Sequence, residues 1–272
     1  MTQTNSDLRS RLAKVENPHE LPWYLNEFEE VPEPARTILE KYSNIAPDNV
    51  LQHVKDVFPY PCIGSFRFLD MSIPQSPAYP EILERLKSGQ TLLDVGCALG
   101  QELRHLVYDG VPSENIYGSD LHDSFFKIGY DLFADTSTLK SKFIISDIFD
   151  DNSDLVKELS DKVDIINAAS FFHLFTFEQQ VTVAKRLIGL LRPVPGSLLV
   201  GRQAGSTEPS DPEGEDQPAH FRHNTVTWKR LWERVSVETG TGWEVEAWMD
   251  EWIRPDRDSR EAFKLRFIVR RV

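Results

Sequence analysis

The sequence predicts an α/β fold, in which a seven-stranded and mainly parallel sheet carries helices on both faces and a helical lid precedes it. Five short apolar runs alternate with helical segments between residues 91 and 201. Such alternation is typical of parallel strands joined by crossover helices. Two further strand-like segments follow near the C-terminus, and a region rich in proline and aromatic residues comes first. These three observations fix the predicted fold class.

The N-terminal part of the chain predicts an accessory lobe. Residues 1–20 are polar and charged and lack an apolar core, so we expect no secretory signal there. Beyond them, prolines separate two short predicted helices at residues 35–42 and 48–57. We therefore predict two domains, with residues 1–79 as the lid and residues 80–272 as the main domain.

The main domain predicts strands and helices in regular order. Short apolar runs indicate buried strands, and longer segments with apolar residues three or four apart indicate helices. The helix at residues 176–191 has the clearest signal, because Thr176 and Gln179 can form a capping box and Pro193 follows its end. The predicted strands are residues 91–95, 115–119, 142–146, 163–168 and 197–201; the predicted helices are residues 81–86, 101–108, 124–133, 155–159 and 176–191.

After the fifth strand the alternation stops. Residues 204–219 contain three prolines, two glycines and five acidic residues, which predicts a loop. A helix at residues 226–238 follows. Two strands at residues 243–249 and 263–272, joined by a charged loop, are predicted to complete the sheet at one edge.

Charge and composition exclude several classes of partner. The 272 residues include 30 Lys and Arg against 43 Asp and Glu, a formal net charge of −13, which disfavours nucleic acid and anionic lipid as partners. No apolar run reaches the length of about 20 residues that crosses a bilayer. The two cysteines, Cys62 and Cys97, form neither a zinc motif nor a disulfide framework. We expect a cytoplasmic protein without a structural metal.

The segment DVGCALGQ at residues 94–101 carries the first chemical signal. It joins the first strand to the first helix, where a doubly wound sheet binds its ligand. Gly96 and Gly100 permit left-handed backbone and close approach of a ligand. Asp94, just before the turn, can accept a hydrogen bond from an ammonium group. A plain tight turn is the alternative explanation.

Two more acids follow strand ends. Asp120 ends the second strand and Asp147 follows the third, so both are predicted at the same carboxyl edge as Asp94. A carboxylate at the second strand can accept hydrogen bonds from both hydroxyls of a ribose, and one at the third can accept from the exocyclic amine of adenine beside the backbone of Ile148. Each acid alone could instead cap a helix. Three acids at the same carboxyl edge of the sheet favour an adenosyl ligand.

A dinucleotide cofactor is a weaker interpretation of the same letters. Its fingerprint needs glycine at relative positions one, three and six, and these positions hold Gly96, Ala98 and Gln101. Two of the three fail, and no phosphate-binding loop of the G-x-x-x-x-G-K-[ST] type is present.

Together these residues resemble the class I S-adenosylmethionine-dependent methyltransferases. Their first motif is an acid, an apolar residue and Gly-x-Gly-x-Gly, and Ala98 replaces the middle glycine here. The resemblance implies a Rossmann-like seven-stranded sheet and S-adenosyl-L-methionine as cofactor. It assigns the methionine part to Asp94, Gly96 and Gly100, the ribose to Asp120 and Leu121, and the adenine to Asp147 and Ile148. It assigns the pocket below the methyl group to the segment Asn167–Ser170, which begins with Asn167 and Ala168.

A closer resemblance covers four segments, residues 92–121, 166–175, 190–203 and 221–232. These are similar to the fungal meroterpenoid methyltransferases of the austinol and terretonin pathways. The resemblance implies a homodimer that esterifies the carboxyl group of a prenylated aromatic polyketide acid in secondary metabolite biosynthesis.

The acceptor site is less clearly marked. A carboxylate is ionised near pH 7 and needs no base, whereas a phenol with a pKa near 10 benefits from one. We predict His173 and His223 as catalytic residues, and Arg67, His220 and Arg222 as substrate contacts, because histidine and arginine can pair with a carboxylate. Packing, capping or simple solvation is the alternative for each of them.

Three functions are consistent with these residues. The first is a carboxyl O-methyltransferase acting on a hydrophobic meroterpenoid acid. The second keeps the chemistry but uses a phenol hydroxyl or a ring nitrogen of another natural product as acceptor. The third is a non-catalytic binding protein on the same fold, which the intact set of three acids disfavours.

Overall fold

The predicted seven-stranded sheet is confirmed. The computed structural model describes residue 25 and residues 28–56, 66–210, 212, 218–252 and 262–272. Within them the strands follow the order β3-β2-β1-β4-β5-β7-β6; the first five are parallel, and β7 runs antiparallel to both of its neighbours. The strands are β1 Leu92–Val95, β2 Ile116–Asp120, β3 Lys142–Ile145, β4 Ile165–Asn167, β5 Leu198–Gly205, β6 Trp243–Trp252 and β7 Ala262–Arg271.

The helices lie close to their predicted positions. Thr176 and Gln179 form the predicted capping box, with the Gln179 N–H donating to Thr176 Oγ1 at 3.3 Å and the Thr176 N–H donating to Gln179 Oε1 at 3.1 Å. No helix of the described residues is long and apolar enough to cross a bilayer. The helices are α1 Ala35–Thr37, continued by a π-helical turn Ile38–Tyr42, α2 Val50–Lys55, α3 Tyr79–Lys87, α4 Gln101–Tyr108, α5 Asp123–Phe133, α6 Asp154–Leu159, α7 Phe177–Leu190 and α8 Thr225–Thr239.

Strand β5 is longer than predicted. It pairs with β7 over eight residues, from the pair Leu198 and Arg270 to the pair Gly205 and Phe263. The predicted loop therefore begins too early, since residues 204–205 belong to the strand, and residues 211 and 213–217 of that loop lie outside the described residues. The predicted polar segment at residues 1–20 and Cys62 also lie outside them, whereas Cys97 is buried.

The lid packs on α5 and on Leu99, in the turn after β1, through an apolar cluster. Its buried side chains, among them Ile38 and Phe66, join Phe125 and Phe133 of α5 in one core. A buried ion pair lies beside this core, because Arg104 Nε and Nη2 reach the two oxygens of Asp135 at 2.8 and 2.9 Å. The division of the chain between residues 79 and 80 stays a proposal.

Candidate active site

One large cavity, of about 630 Å³, lies at the carboxyl ends of the parallel strands. This is the edge at which the sequence predicts a ligand, because the turns after β1, β2 and β3 all reach it. Residues of the lid complete the wall. The predicted site residues that line the cavity are Arg67, Gly96, Asp120, Leu121, Asp147, Ile148, His173 and His220.

The turn after β1 has left-handed backbone at three alternate positions. The φ angles are +68° at Gly96, +48° at Ala98 and +68° at Gly100. Left-handed backbone costs a non-glycine residue roughly 1–2 kcal/mol, so Ala98 occupies a position that suits glycine better. The turn is nevertheless tightly held, because the Ser119 carbonyl accepts from the N–H groups of Gly96 and Cys97 at 2.8 and 3.0 Å.

Asp120 is the best-placed acid of the site. Its Oδ2 accepts from the Ala98 N–H at 3.0 Å, and its Oδ1 accepts from the His122 N–H at 3.2 Å. Burial raises the pKa of Asp120, and these two N–H groups oppose that rise. A carboxylate offers about four acceptor positions, so capacity remains for two hydroxyl donors from the cavity.

Asp147 and Ile148 line the same cavity after β3. Asp147 is exposed, and its Oδ1 accepts from the Phe149 N–H at 2.9 Å, which folds the segment into a tight turn. Two of the three predicted acids thus lie on one wall.

The third acid, Asp94, is not among the cavity-lining residues of the described chain, so its ligand contact stays a prediction. Asp94 is buried, and its Oδ1 accepts from Asn167 Nδ2 at 2.7 Å. Burial raises the pKa of Asp94 well above its ordinary range. Gly100 also faces inward, because a Cβ there would lie 2.7 Å from Arg104 Nη1 and 2.8 Å from the Phe143 ring. Asp94 and Gly100 therefore support the turn after β1 from the protein interior.

The wall that follows β4 begins later than predicted. Asn167 and Ala168 are completely buried, and the Ala168 N–H still donates to the Val200 carbonyl of β5 at 2.9 Å, so both remain within the sheet. Ala169 and Ser170, the second half of the predicted segment, do line the cavity, and Phe171 follows them.

His223 and Arg222 do not line the cavity in the described part of the chain, so their proposed roles stay predictions. His223 is completely buried: Nδ1 lies 3.0 Å from Thr227 Oγ1 and Nε2 lies 3.0 Å from Gln180 Oε1. Both ring nitrogens serve the packing of α7 against α8, and burial lowers the pKa of His223 to about 3. Arg222 is exposed and is absent from the described lining of the cavity.

This buried histidine predicts a pH dependence of stability. Below the ordinary pKa of 6.5, the unfolded chain binds a proton that the folded chain excludes until the pH approaches 3. The free energy of unfolding contributed by His223 therefore falls as the pH falls through this window, by about 1.4 kcal/mol per unit. We expect His223→Gln to flatten the acid limb of urea-unfolding measurements by this slope. His220→Gln, at an exposed position, is the control; equal slopes in all three proteins would refute the assignment.

Two predicted histidines do reach the cavity. His173 lies in the 3₁₀ turn Phe172–Leu174 after β4. His220 Nδ1 lies 3.0 Å from the Leu174 carbonyl, which can only accept, so Nδ1 carries the hydrogen and Nε2 of the neutral ring is an acceptor.

Several lining residues were not predicted. Gln101 lines the cavity and carries a buried Oε1 that has no hydrogen-bond partner among the described residues. Glu102, Asp70 and Arg202 also contribute charged groups to the wall. Arg202 did give a sequence signal, as a charge that directly follows the apolar run of β5, but Asp70 and Gln101 gave none.

Comparisons with known proteins agree with this geometry. The family described as meroterpenoid methyltransferase N-terminal domain matches residues 23–69, within the predicted lid. O-methyltransferase phiE from Fungal sp. (strain ATCC 74256) is 50% identical over 236 residues, 83% of this chain and 79% of that protein. The asnovolin E/chermesin D methyltransferase nvfJ from Aspergillus novofumigatus is 48% identical over 82% of this chain and 84% of its own length.

Solved structures agree on the fold. Magnesium protoporphyrin IX methyltransferase from Synechocystis PCC 6803, solved with bound SAH, superposes with a TM-score of 0.50 at 14% identity. The match covers 88% of this chain and 100% of that chain. At such low identity the likeness concerns the fold alone, which is that of the class I methyltransferases.

Proposed function

We propose, because this chain belongs to the family of the meroterpenoid methyltransferases, that it transfers a methyl group from S-adenosyl-L-methionine to the carboxyl group of a prenylated polyketide acid. Its relative nvfJ is named for asnovolin E and chermesin D, which supports a meroterpenoid acceptor. The resemblance of the sequence to this family also leads us to propose a homodimer.

One observation carries the proposal: acids and cations line different parts of a single large cavity. Asp120 and Asp147 follow β2 and β3, while Arg67 and Arg202 lie on the lid and on β5. The acids suit the hydroxyl and amine groups of an adenosyl donor, and the guanidinium groups suit an anionic acceptor. Phe125, which lines the same cavity, supplies apolar surface for a prenylated substrate.

The residues present fit S-adenosyl-L-methionine. Asp120 keeps acceptor capacity for the ribose, and Asp147 and Ile148 lie where the adenine contacts are expected. Gly96 lines the cavity without a side chain. The buried Oε1 of Gln101, which has no hydrogen-bond partner among the described residues, is an acceptor for the ammonium group of the methionine part. Gln101 is thus a second candidate for that role beside Asp94, whose Oδ2 is likewise buried without a hydrogen-bond partner among the described residues.

The donor supplies an electrophilic methyl group on a sulfonium when bound. The protein has to hold the acceptor oxygen in line with that methyl group and to exclude water. A carboxylate is already ionised near pH 7, so no residue has to remove a proton from it. The side chains of the cavity therefore act by binding and orientation.

A phenol is the second candidate acceptor, and His220 is the observation that favours it. Its Nε2 is an acceptor in the neutral ring, as the base for a phenol must be. A base of this kind contributes about 10²–10⁴-fold to the rate, so its removal separates the two acceptors.

We expect a methyl ester to form on a probe that offers both groups. The enzyme is given a farnesylated dihydroxybenzoic acid and a donor labelled in its methyl group, and the product is treated with mild base. An ester loses the label, whereas an aryl ether keeps it. For the carboxyl acceptor, His220→Gln changes the turnover rate by less than about threefold, since no base is needed. A base-stable product together with a hundredfold loss in His220→Gln would establish the phenol instead.

A further inference from the structure

Arg202 is a buried cation on the wall of the cavity. It lies on β5, keeps 6% of its surface exposed and lines the cavity. Its carbonyl accepts from the Ser170 N–H at 2.6 Å, which fixes its backbone beside the wall that follows β4. A buried guanidinium is costly unless its donors are paired. The N–H donors of the Arg202 guanidinium therefore need hydrogen-bond acceptors.

The only ion pair of Arg202 within the described residues is a single contact. Its Nη1 lies 2.7 Å from Asp70 Oδ1, and Oδ1 also accepts from Gln75 Nε2 at 3.1 Å. The other oxygen, Oδ2, accepts from Lys264 Nζ at 2.5 Å. Because Lys264 takes the second oxygen, Asp70 does not form the two-bond fork that arginine and carboxylates favour. A guanidinium has five N–H donors, so it retains donors for a second carboxylate.

Asp70 is suited to fix the direction of this guanidinium. Burial alone would raise its pKa, but the charges of Arg202 and Lys264 outweigh burial and hold the pKa of Asp70 well below its usual range. Asp70 is therefore ionised throughout the physiological range and orients Arg202 before any substrate binds.

The neighbouring acid does not use the remaining donors. Glu102 lies close enough to act electrostatically on Arg202, but its two oxygens accept from the backbone N–H groups of Ser72 and Ile73. Those contacts fasten the lid to α4 and leave the guanidinium of Arg202 to the cavity.

The position of Arg202 in the sheet suits the acceptor rather than the donor. Asp120 ends β2, and β1 and β4 lie between β2 and β5. Three strand spacings amount to about 14 Å, so Arg202 lies across the cavity from the acid expected to hold the ribose.

We propose that Arg202 binds the carboxylate of the acceptor, with Asp70 and Lys264 as positioning residues. The inference rests on the proposed carboxyl methylation and adds the group that selects the acid. An acceptor without a negative charge would leave the donors of Arg202 unpaired in a buried wall, which disfavours its binding. Arg202 thus provides specificity for an anionic substrate.

The test compares Arg202→Gln with Arg270→Gln. Arg270 also lies in the β5–β7 pair, as the Cα partner of Leu198, pairs with Glu81 of α3 and is absent from the described lining of this cavity, so it is a matched control. Binding of a farnesylated dihydroxybenzoic acid, of its primary amide and of S-adenosylhomocysteine is measured by calorimetry without turnover. We expect Arg202→Gln to weaken binding of the acid at least 30-fold, to leave the amide and S-adenosylhomocysteine within threefold, and Arg270→Gln to change none of them.

Asp70→Asn tests whether Asp70 positions Arg202. Arg202→Lys keeps the positive charge but cannot form the two-bond contact of a guanidinium with a carboxylate. We expect Asp70→Asn to raise the KM for the acid about tenfold while kcat at saturation is kept, and Arg202→Lys to recover only part of the affinity. The inference is overturned if Arg202→Gln weakens S-adenosylhomocysteine instead, or weakens the acid and the amide equally. Acid binding that depends on Arg202, combined with a base-stable product, would support the inference and contradict the proposed reaction alone.

Discussion

Replacing Asp120 by alanine is expected to weaken binding of S-adenosylhomocysteine, the demethylated donor, by about two to four orders of magnitude. Each hydrogen bond to a charged group contributes roughly 1.5–3 kcal/mol, and two ribose hydroxyls would be lost together. The turn after β1 is also affected, because Asp120 accepts from the N–H of Ala98 at 3.0 Å. The same substitution thus removes a ligand contact and loosens the backbone that faces the donor.

Two further variants separate these effects in calorimetric titrations. Asp120→Asn keeps one carbonyl oxygen as acceptor, so an intermediate loss of about tenfold is expected. Asp131→Ala removes an exposed acid from α5 and controls for the change in net charge. Wild-type affinity in Asp120→Ala would exclude Asp120 from the donor site.

The sheet was predictable because its signal is local. Apolar runs and helical spacing placed every strand and helix of residues 80–250 to within a few residues, since each element buries one face or both. The end of β5 was missed, because the charge of Arg202 interrupts the apolar run there. Pairing with β7, some sixty residues later in the chain, keeps that segment extended, and no local pattern records such pairing.

The residues that reach the cavity could be predicted only where the ends of neighbouring parallel strands meet. Asp120 and Asp147 reach the cavity because they follow adjacent parallel strands. The same rule does not bring Asp94 to the described lining of the cavity, and its Oδ1 accepts from Asn167 Nδ2 on the neighbouring strand at 2.7 Å. His223 is likewise absent from that lining, and its partner Gln180 is 43 residues away in the sequence. Contacts between residues that are distant in the sequence decide which face of a strand or helix a side chain occupies. The residue type alone does not decide it.

Gly129 of α5 makes such a contact, and its substitution is expected to have the second large effect. Gly129 lies in the middle of the helix, and a Cβ there would come within 2.3 Å of the Leu99 carbonyl oxygen. Leu99 belongs to the left-handed turn after β1, and its carbonyl accepts from Arg104 Nη1 at 2.7 Å. Backbone atoms cannot yield as a flexible side chain can, so a methyl group at this position must move the helix or the turn.

We therefore expect Gly129→Ala to lower the free energy of unfolding by about 3 kcal/mol, although alanine normally stabilises a helix relative to glycine. Gly189→Ala is the matched control, because Gly189 also lies within a helix, α7, and a Cβ there meets nothing within 4 Å. Gly189→Ala should raise the free energy of unfolding by about 0.5–1 kcal/mol. Urea unfolding measures both, and calorimetry should show weaker S-adenosylhomocysteine binding for Gly129→Ala alone, since the displaced turn lines the donor end of the cavity. Equal stability of the two variants would mean that α5 and the turn are not in contact.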